Sequence, residues 1–588
     1  MIVKMKKIHL VVQTRDIPDA LGSLRDLEAV HIEHQDELTG FQITERREEV
    51  RILTQVVDIL EKTGAAAPQE RAGDWTEIAN AILKDVAEIE SLREGMSRRQ
   101  GVIAQWEPWG NFDPADIRAL ADKGVVIALC EVKADDLAAV PGGVIVRNIF
   151  TAGGMARCVL VAREKNDIPF PALELPPAGL NQLRAGQAED GAAAARLRES
   201  VKTRVKYLDS LKASRVHCRN VLAIEEAQKG MNEQGPLAVL KGYCPADRRE
   251  ALEKKAAAER WALLVEDVGP EDQVPTCIRN PRWVEMIRPV FQLIDIMPGY
   301  REMDVSLVFL VFFSIFFGML IGDAAYGAIF LTINLAAHLK LGRRCKDQTF
   351  FYLMYVLSGC TIIWGLLTGV VFGQAWLADS PVRPLVPWLA DMNNMIFLCF
   401  SVAAAHLSIA HLWRITLKFP DLTFLAEAGW LFLVWTMFFV ANMFVLNREF
   451  PPFGLGLLYV GMALVVMFTA PNKNPLRVVG PGLGALAMNF INSFTDVVSY
   501  IRLFAVGLAT VAVADAFNEM ALGIGFGGAV SGFFAALVLV LGHALNMILA
   551  GLAVLVHGVR LNVLEFSGHL GLEWGGFKYN PFRKIKQG

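Results

Sequence analysis

From residue 304 onward the chain is apolar in long unbroken runs, and this limits its fold more than any other feature. The runs lie at about 305–320, 322–340, 347–374, 393–418, 424–446, 452–470, 481–519 and 525–569. In lipid a segment must satisfy its own backbone donors and acceptors, which leaves only helices or closed barrels. Runs of about 20 apolar residues select helices. Residues 304–588 carry only 16 Lys+Arg and 13 Asp+Glu, whereas residues 1–303 carry 41 and 47. The expected fold is therefore an α+β cytoplasmic domain over 1–303, followed by an all-α, eight-helix transmembrane domain over 304–588.

Eight spans return the C-terminus to the side of the N-terminal half. Loops and tails on that side hold Lys340, Arg343, Arg344, Lys346, Arg414, Lys418, Lys473, Arg477, Lys578, Arg583, Lys584 and Lys586. The opposite side holds only Arg383 and Arg448. The positive-inside rule then makes both termini cytoplasmic. The opening "MIVKMKKIHLVVQTRD" has too short an apolar run for a signal peptide. Eight cysteines stand singly, with no Cys-x-x-Cys pair or histidine cluster, which suits reduced structural thiols and no metal. No basic stripe with interleaved aromatics suggests nucleic acid. No Gly-x-x-x-x-Gly-Lys-Ser/Thr loop suggests ATP hydrolysis by this chain.

In the soluble half, "KKIHLVVQ" and the segment after it read as strand, amphipathic helix, strand. From Thr76 the apolar positions Ile78, Ile82, Val86, Ile89, Leu92 and Met96 fall at steps of three and four. Trp109, Gly110 and Pro114 end that run, and three strand-like runs follow ("GVVIALCEV", "GVIVRNIF", "RCVLVAREK"). A second stripe then carries Leu197, Val201, Val205, Leu208 and Leu211. The order predicts two α/β lobes joined by an antiparallel coiled-coil arm. Its helices would run over about 76–104 and 180–225, with the distal lobe at about 110–170.

The last two runs are about twice the length a bilayer needs, so those helices must tilt, kink or lie partly across the membrane. Each carries a polar face. At 100° per residue, Asn489, Asn492, Ser493, Asp496 and Ser499 share one arc with Arg502 at its edge. His543, Asn546, His557, Arg560 and Glu565 fall within roughly 140° by the same arithmetic. A guanidinium stays charged, and at bilayer depth it costs from about 3 to more than 10 kcal/mol. Blander uses exist: Arg560 near a helix end can snorkel, Arg502–Asp496 and Arg560–Glu565 can be internal ion pairs, and Asp323 can serve the turn between the first two spans. Gly365, Gly369 and Gly373, spaced by four, read as a helix-contact motif.

"SYIRLFAVGLA", "GHALNMILAGLAVLVHGVRLNVLEF", "FFGMLIGDAAYG", "GYCP" and "KYNPF" resemble the membrane-embedded a subunit (subunit I) of V-type and archaeal-type rotary ATPases, along the whole chain. The resemblance implies a non-catalytic stator, without cofactor, in a bacterial or archaeal plasma membrane. It implies that the chain forms ion half-channels against a proteolipid c-ring and couples H+ or Na+ movement to ATP hydrolysis or synthesis. Arg502 and Arg560 match the family's paired functional arginines, with His557 and Glu565 at polar positions beside them. Implied partners are the ring, peripheral-stalk subunits of the E/G type and a central-stalk adaptor of the d/C type. "GYREMDVSL" departs from relatives, which usually have Pro-Thr after the aspartate. The rival reading is a self-contained secondary transporter or channel with an interaction domain; such proteins often carry inverted repeats, and none is evident here.

Overall fold

The computed structural model describes residues 1–33, 41–64, 68–133, 136–137, 140–343, 345, 347–373, 384–471 and 474–586. Arg344, Lys346, Arg383 and Lys473 of the loop-charge pattern lie outside these.

In chain order the first half contains β1 (Met5–Gln13), α1 (Ile17–Leu27), β2 (His31–Ile32), α2 (Phe41–Lys62), α3 (Trp75–Trp106) and α4 (Pro114–Asp122). Then come β3 (Val126–Lys133), β4 (Ile145–Ala152), β5 (Met155–Ala162), α5 (Leu180–Thr203) and α6 (Leu208–Lys229). β6 (Asn232–Gln234), β7 (Leu237–Pro245), α7 (Arg249–Ala258) and β8 (Ala262–Asp267) complete it. One sheet has the order β2-β7-β1-β8, with β6 on β7; the other is β3-β5-β4. The chain divides into two compact units. One is Met1–His9, Ala29–His31 and Gly242–Pro581, and the other is Leu10–Glu28, Ile32–Lys241 and Phe582–Gly588.

In the second unit the three strand-like runs form the antiparallel β3-β5-β4 sheet, in which Cys130 sits opposite Cys158. Side chains alternate across a strand, so Ala128, Cys130, Val132, Cys158, Leu160 and Ala162 bury one face. Leu129 on the other face packs with Trp106 and Trp109. α3 begins where Asp74 accepts from the Thr76 amide at 2.8 Å, an N-cap. Arg204–Asp85 (2.5 Å), Arg99–Asp190 (2.6 Å) and Arg184–Glu107 (2.5 Å) fix α3 and α5 antiparallel. The expected second helix over 180–225 is in fact two. It breaks at Arg204–Tyr207, and α6 pairs with α2 through Arg47–Glu226 (2.8 Å) and Lys212–Glu61 (2.7 Å). Leu53, Val56, Val57 and Leu60 of α2 fill the seam with Ile82, Val201, Val205 and Leu211. The α2 stripe was not recognised in the sequence, because Arg and Glu crowd its other faces.

The first unit continues through the short α8 (Arg288–Leu293) to α9 (Ser306–Ile321), α10 (Ala324–Leu341), α11 (Thr349–Thr368), α12 (Met392–Lys418), α13 (Phe424–Leu446) and α14 (Pro452–Phe468). α15 (Pro475–Ser499), α16 (Ile501–Ile524), α17 (Ala529–Ala553) and α18 (Ser567–Leu570) end it. Six helical stretches are long and apolar enough to cross a membrane, and the last two, Val478–Ile524 and Ala529–Leu570, have 47 and 42 residues. α9 and α14 are apolar but shorter, 16 and 17 residues. At 1.5 Å per residue they reach about 25 Å, less than the ~30 Å hydrocarbon core.

α9 is the centre of this unit. Phe309, Phe313, Phe316 and Leu320 are buried against Leu357 of α11, Phe400 and Leu407 of α12, and Leu503 of α16. Asp304 caps its start, accepting from the Ser306 amide at 3.1 Å, so the Val-Ser departure keeps a capping hydroxyl. The glycine motif divides in use. Gly365 lies against α10, where a Cβ would stand 2.2 Å from the Ala324 nitrogen. Gly369 and Gly373 instead take positive φ (75° and 72°) past the end of α11.

Gly365→Ala should lower the thermal midpoint of the solubilised protein, at a cost of about 1–3 kcal/mol or more from overpacking. Gly456→Ala, with nothing within 4 Å of its Cβ, should not. In the paired helices, fully buried Leu211 mutated to Ala should cost about 2–5 kcal/mol, read as faster proteolysis of the 41–229 segment. Burial pushes the Cys130 thiol up to about 11 and Cys244 up to about 12. At pH 8 a maleimide should therefore label exposed Cys345 well before either.

Candidate functional site

Both membrane arginines stand beside interruptions of their helices. α15 ends at Ser499 and α16 begins at Ile501, with Tyr500 between them at φ −69°, ψ −12°. Arg502 is the second residue of the new helix. Arg560 lies between two π-helical stretches, Val554–Gly558 and Leu561–Phe566. In an α-helix, residues five apart point about 140° away from one another. The wider π turn, which bonds i to i+5, removes most of that angle and lets Arg560 reach Glu565.

Glu565 is where the two helices meet. Its Oε1 lies 3.4 Å from Arg560 Nε and 3.5 Å from Arg502 Nη1. The carboxylate is only 4 % exposed, whereas the Arg502 and Arg560 side chains are 30 % and 50 % exposed. Arg502 Nη2 also approaches Ser499 Oγ at 3.4 Å. Two permanent cations share one anion, so the group keeps a net positive charge. Arg502 Nη1 has no hydrogen-bond partner among the described residues. The sequence left open an Arg502–Asp496 pair; Asp496 instead bonds a residue the sequence did not single out, His569, at 3.0 Å.

From Asp496 a polar chain runs toward the end of α12. His569 Nδ1 meets His411 Nε2 at 2.9 Å, and His411 Nδ1 meets Glu427 Oε2 at 3.1 Å. Lys418 (2.7 Å) and Arg414 (2.9 Å) hold the other oxygen of Glu427. At the opposite end of the unit a second cluster forms around Tyr326. Its hydroxyl bonds His543 Nδ1 at 2.7 Å and accepts from Asn546 Nδ2 at 3.0 Å. His543 Nε2 reaches Asn518 Oδ1 at 3.1 Å. Asp323 caps α10 here, accepting from Ala325 N at 2.8 Å and from Gly373 N at 3.2 Å. A cavity of about 350 Å³, lined by Phe372, Asn518, Phe526 and His543, adjoins this cluster. Along the last helix, Asn546 and His569 are roughly 30–35 Å apart at ~1.5 Å per residue, close to the thickness of a hydrocarbon core. The arginines and Glu565 lie between them.

The single arc expected for the last helix therefore divides. His543 and Asn546 join the Tyr326 cluster, while Arg560 and Glu565 join Arg502. Steady α-helical counting fails across the π stretches. Of the α15 stripe, Asp496, Ser493 and Ser499 turn inward, while Asn489 and Asn492 are exposed. His557 is half-buried one turn before Arg560. The sequence also missed His406, whose ring stacks between Phe312 (3.8 Å) and Phe566 (4.3 Å) and bonds the Tyr500 hydroxyl at 2.8 Å. His406 thus pins both helix interruptions. Single polar residues on α12 and α13 gave no signal, because their partners lie on distant helices.

No family model matches the chain. It is 32% identical over 632 residues to "V-type ATP synthase subunit I 1" of Treponema pallidum, covering 99% of this chain and all of that one. It is 29% identical over 626 residues to "V-type ATP synthase subunit I" of Borreliella burgdorferi, covering both chains fully. "A-type ATP synthase subunit I" of Methanocaldococcus jannaschii is 25% identical over 58% of this chain and 53% of its own. A solved N-terminal domain of subunit I aligns over 44% of this chain, at 17% identity and a TM-score of 0.22, which is too low to support the fold. Full-length identity of this degree makes the chain a multi-pass membrane protein of the V/A-type ATP synthase subunit I family.

Proposed function

We propose that the chain is the stator of an ion-translocating rotary ATPase, with Arg502 and Arg560 as the divider between two offset half-channels. The observation that carries this reading is the convergence of both arginines on Glu565, between polar clusters that lead to opposite ends of the helical unit. A proteolipid carboxylate is neutral while it faces lipid, and a fixed cation beside it favours its ionised form. One anion shared by two guanidiniums leaves the positive charge needed for that task. The ion is therefore released where the ring meets Arg502, and direct leakage between the half-channels is opposed electrostatically. Ser493, Asp496 and Ser499, with the exposed Asn489 and Asn492, line one half-channel. His543 and Asn546 line the other, with His557 beside the divider. All eight apolar helices are embedded, α9 and α14 with their ends near the interface, and both termini are cytoplasmic. The paired helices α2/α6 and α3/α5 bind peripheral stalks and resist torque. The chain itself hydrolyses no ATP.

Arg502→Ala in the reconstituted complex should abolish ATP-driven ion uptake while gels show normal subunit content. Arg502→Lys should not restore it, because an ammonium in this setting can lose its proton. Arg560→Ala should be milder, since that side chain is the more exposed of the two. Glu565→Gln should leave two guanidiniums without their shared anion and also slow uptake. Normal pumping by Arg502→Ala would make the residue a structural partner of Glu565 and overturn the reading.

A further inference from the structure

The buried path between Asp496 and the end of α12 has a chemical character that the divider lacks. Its narrowest part is a direct contact between two imidazoles, His569 Nδ1 to His411 Nε2, at 2.9 Å. Each outer nitrogen faces a carboxylate oxygen: His569 Nε2 faces Asp496 at 3.0 Å, and His411 Nδ1 faces Glu427 at 3.1 Å. His411 and Glu427 are each 3 % exposed and His569 is 11 % exposed. The ends open outward, Asp496 at 28 % and Lys418 at 35 % exposure. Arg414 Nη1 donates to the His569 carbonyl at 3.0 Å and holds the joint together.

Proton counting sets what this chain can do. With both carboxylates ionised, the three hydrogen bonds need three N–H groups on four ring nitrogens. One excess proton is therefore shared by the two rings. Glu427 keeps its charge against Lys418, Arg414 and that proton, which is why three cationic partners crowd one carboxylate. A proton arriving at His411 Nδ1 can be matched by transfer of the central N–H proton to His569 and release from His569 Nε2 to Asp496. Only N–H and O–H bonds form and break, and no heavy atom travels. A metal cation has no such route. Hard cations take oxygen ligands, and here every ring nitrogen is engaged and the contact is closed.

We infer that the buried imidazole pair His411–His569 makes this path proton-specific, so that H+ rather than Na+ is the coupling ion of this chain. Asp496 then hands the proton on beside the divider, since His569 lies one helical turn beyond Glu565. This inference rests on the half-channel reading above, and the test separates the two.

The intact complex would be reconstituted into vesicles and driven with ATP, with acidification followed by a quenched dye and sodium by 22Na+. Wild-type complex should acidify the vesicles in sodium-free buffer and take up no 22Na+. His411→Gln and His569→Gln keep an amide at each position but cannot relay a proton. Each should lower the initial rate of acidification by about a hundredfold, the low end for a positioned proton carrier, with subunit content unchanged. Imidazole added to His569→Ala should partly restore the rate, which a merely structural role would not allow. Sodium-dependent 22Na+ uptake by wild type would overturn the choice of ion, yet the stator reading would stand as long as Arg502→Ala stopped that uptake. Wild-type acidification rates in both glutamine variants would overturn the imidazole route. Should the glutamine variants fail to assemble, the wild-type ion measurement and the imidazole response of His569→Ala still decide the inference.

Discussion

A single buried carboxylate, Glu565, draws the last two membrane helices into one arrangement. Two guanidiniums at bilayer depth would repel each other and demand water. Placed 3.4 and 3.5 Å from one shared oxygen, they become tolerable without being neutralised. Removing one partner of a buried ion pair costs about 3–5 kcal/mol, so the group is mutually dependent. Its geometry is unreachable on regular α-helices. The break at Tyr500 turns Arg502, and the π stretches turn Arg560 and Glu565 onto one line. His406, stacked between Phe312 and Phe566 and bonded to Tyr500, holds both distortions from a third helix.

That third helix, α12, joins two tasks. Its buried residues Phe400, Ala403, Ala404 and Leu407 pack within the same core as α9, which fixes the backbone. Its last two turns present His411, Arg414 and Lys418 to Glu427 and His569. Hydrophobic contact therefore sets the distances at which the polar groups operate. A rigid apolar scaffold with short polar chains at its two ends suits a subunit that must keep still while a neighbour moves.

Much of this was legible in residue order. Charge depletion after residue 304 marked the helical unit, and the three strand-like runs became β3, β4 and β5. Arg502, Arg560 and Glu565 were singled out by polarity within apolar runs. What escaped was whatever depended on non-local geometry or on altered helical pitch. A carboxylate partner for Arg502 was sought within one helix, at Asp496, because sequence arithmetic sees only neighbours. His411, Glu427 and His569 each looked like an isolated polar residue; across three helices they form one chain. In the soluble half, α2 was hidden by its own charges, although its leucine and valine stripe is buried as deeply as that of α3.

The π-helical stretches have a consequence for how such a helix can change. A π turn accommodates one residue more than the α ladder needs, so Val554–Gly558 fixes the phase of everything after it. Loss of one residue there would let the ladder close as ordinary α-helix and rotate the remainder by about 100°. Arg560, Glu565 and His569 would leave their partners together, although length, hydropathy and every functional side chain would be almost unchanged. Substitutions in this stretch can be absorbed one at a time, but a change in residue count cannot. The spacing between Asn546 and Arg560 is thus inherited as a unit, and a homologous helix with a different count there must realign its polar groups elsewhere.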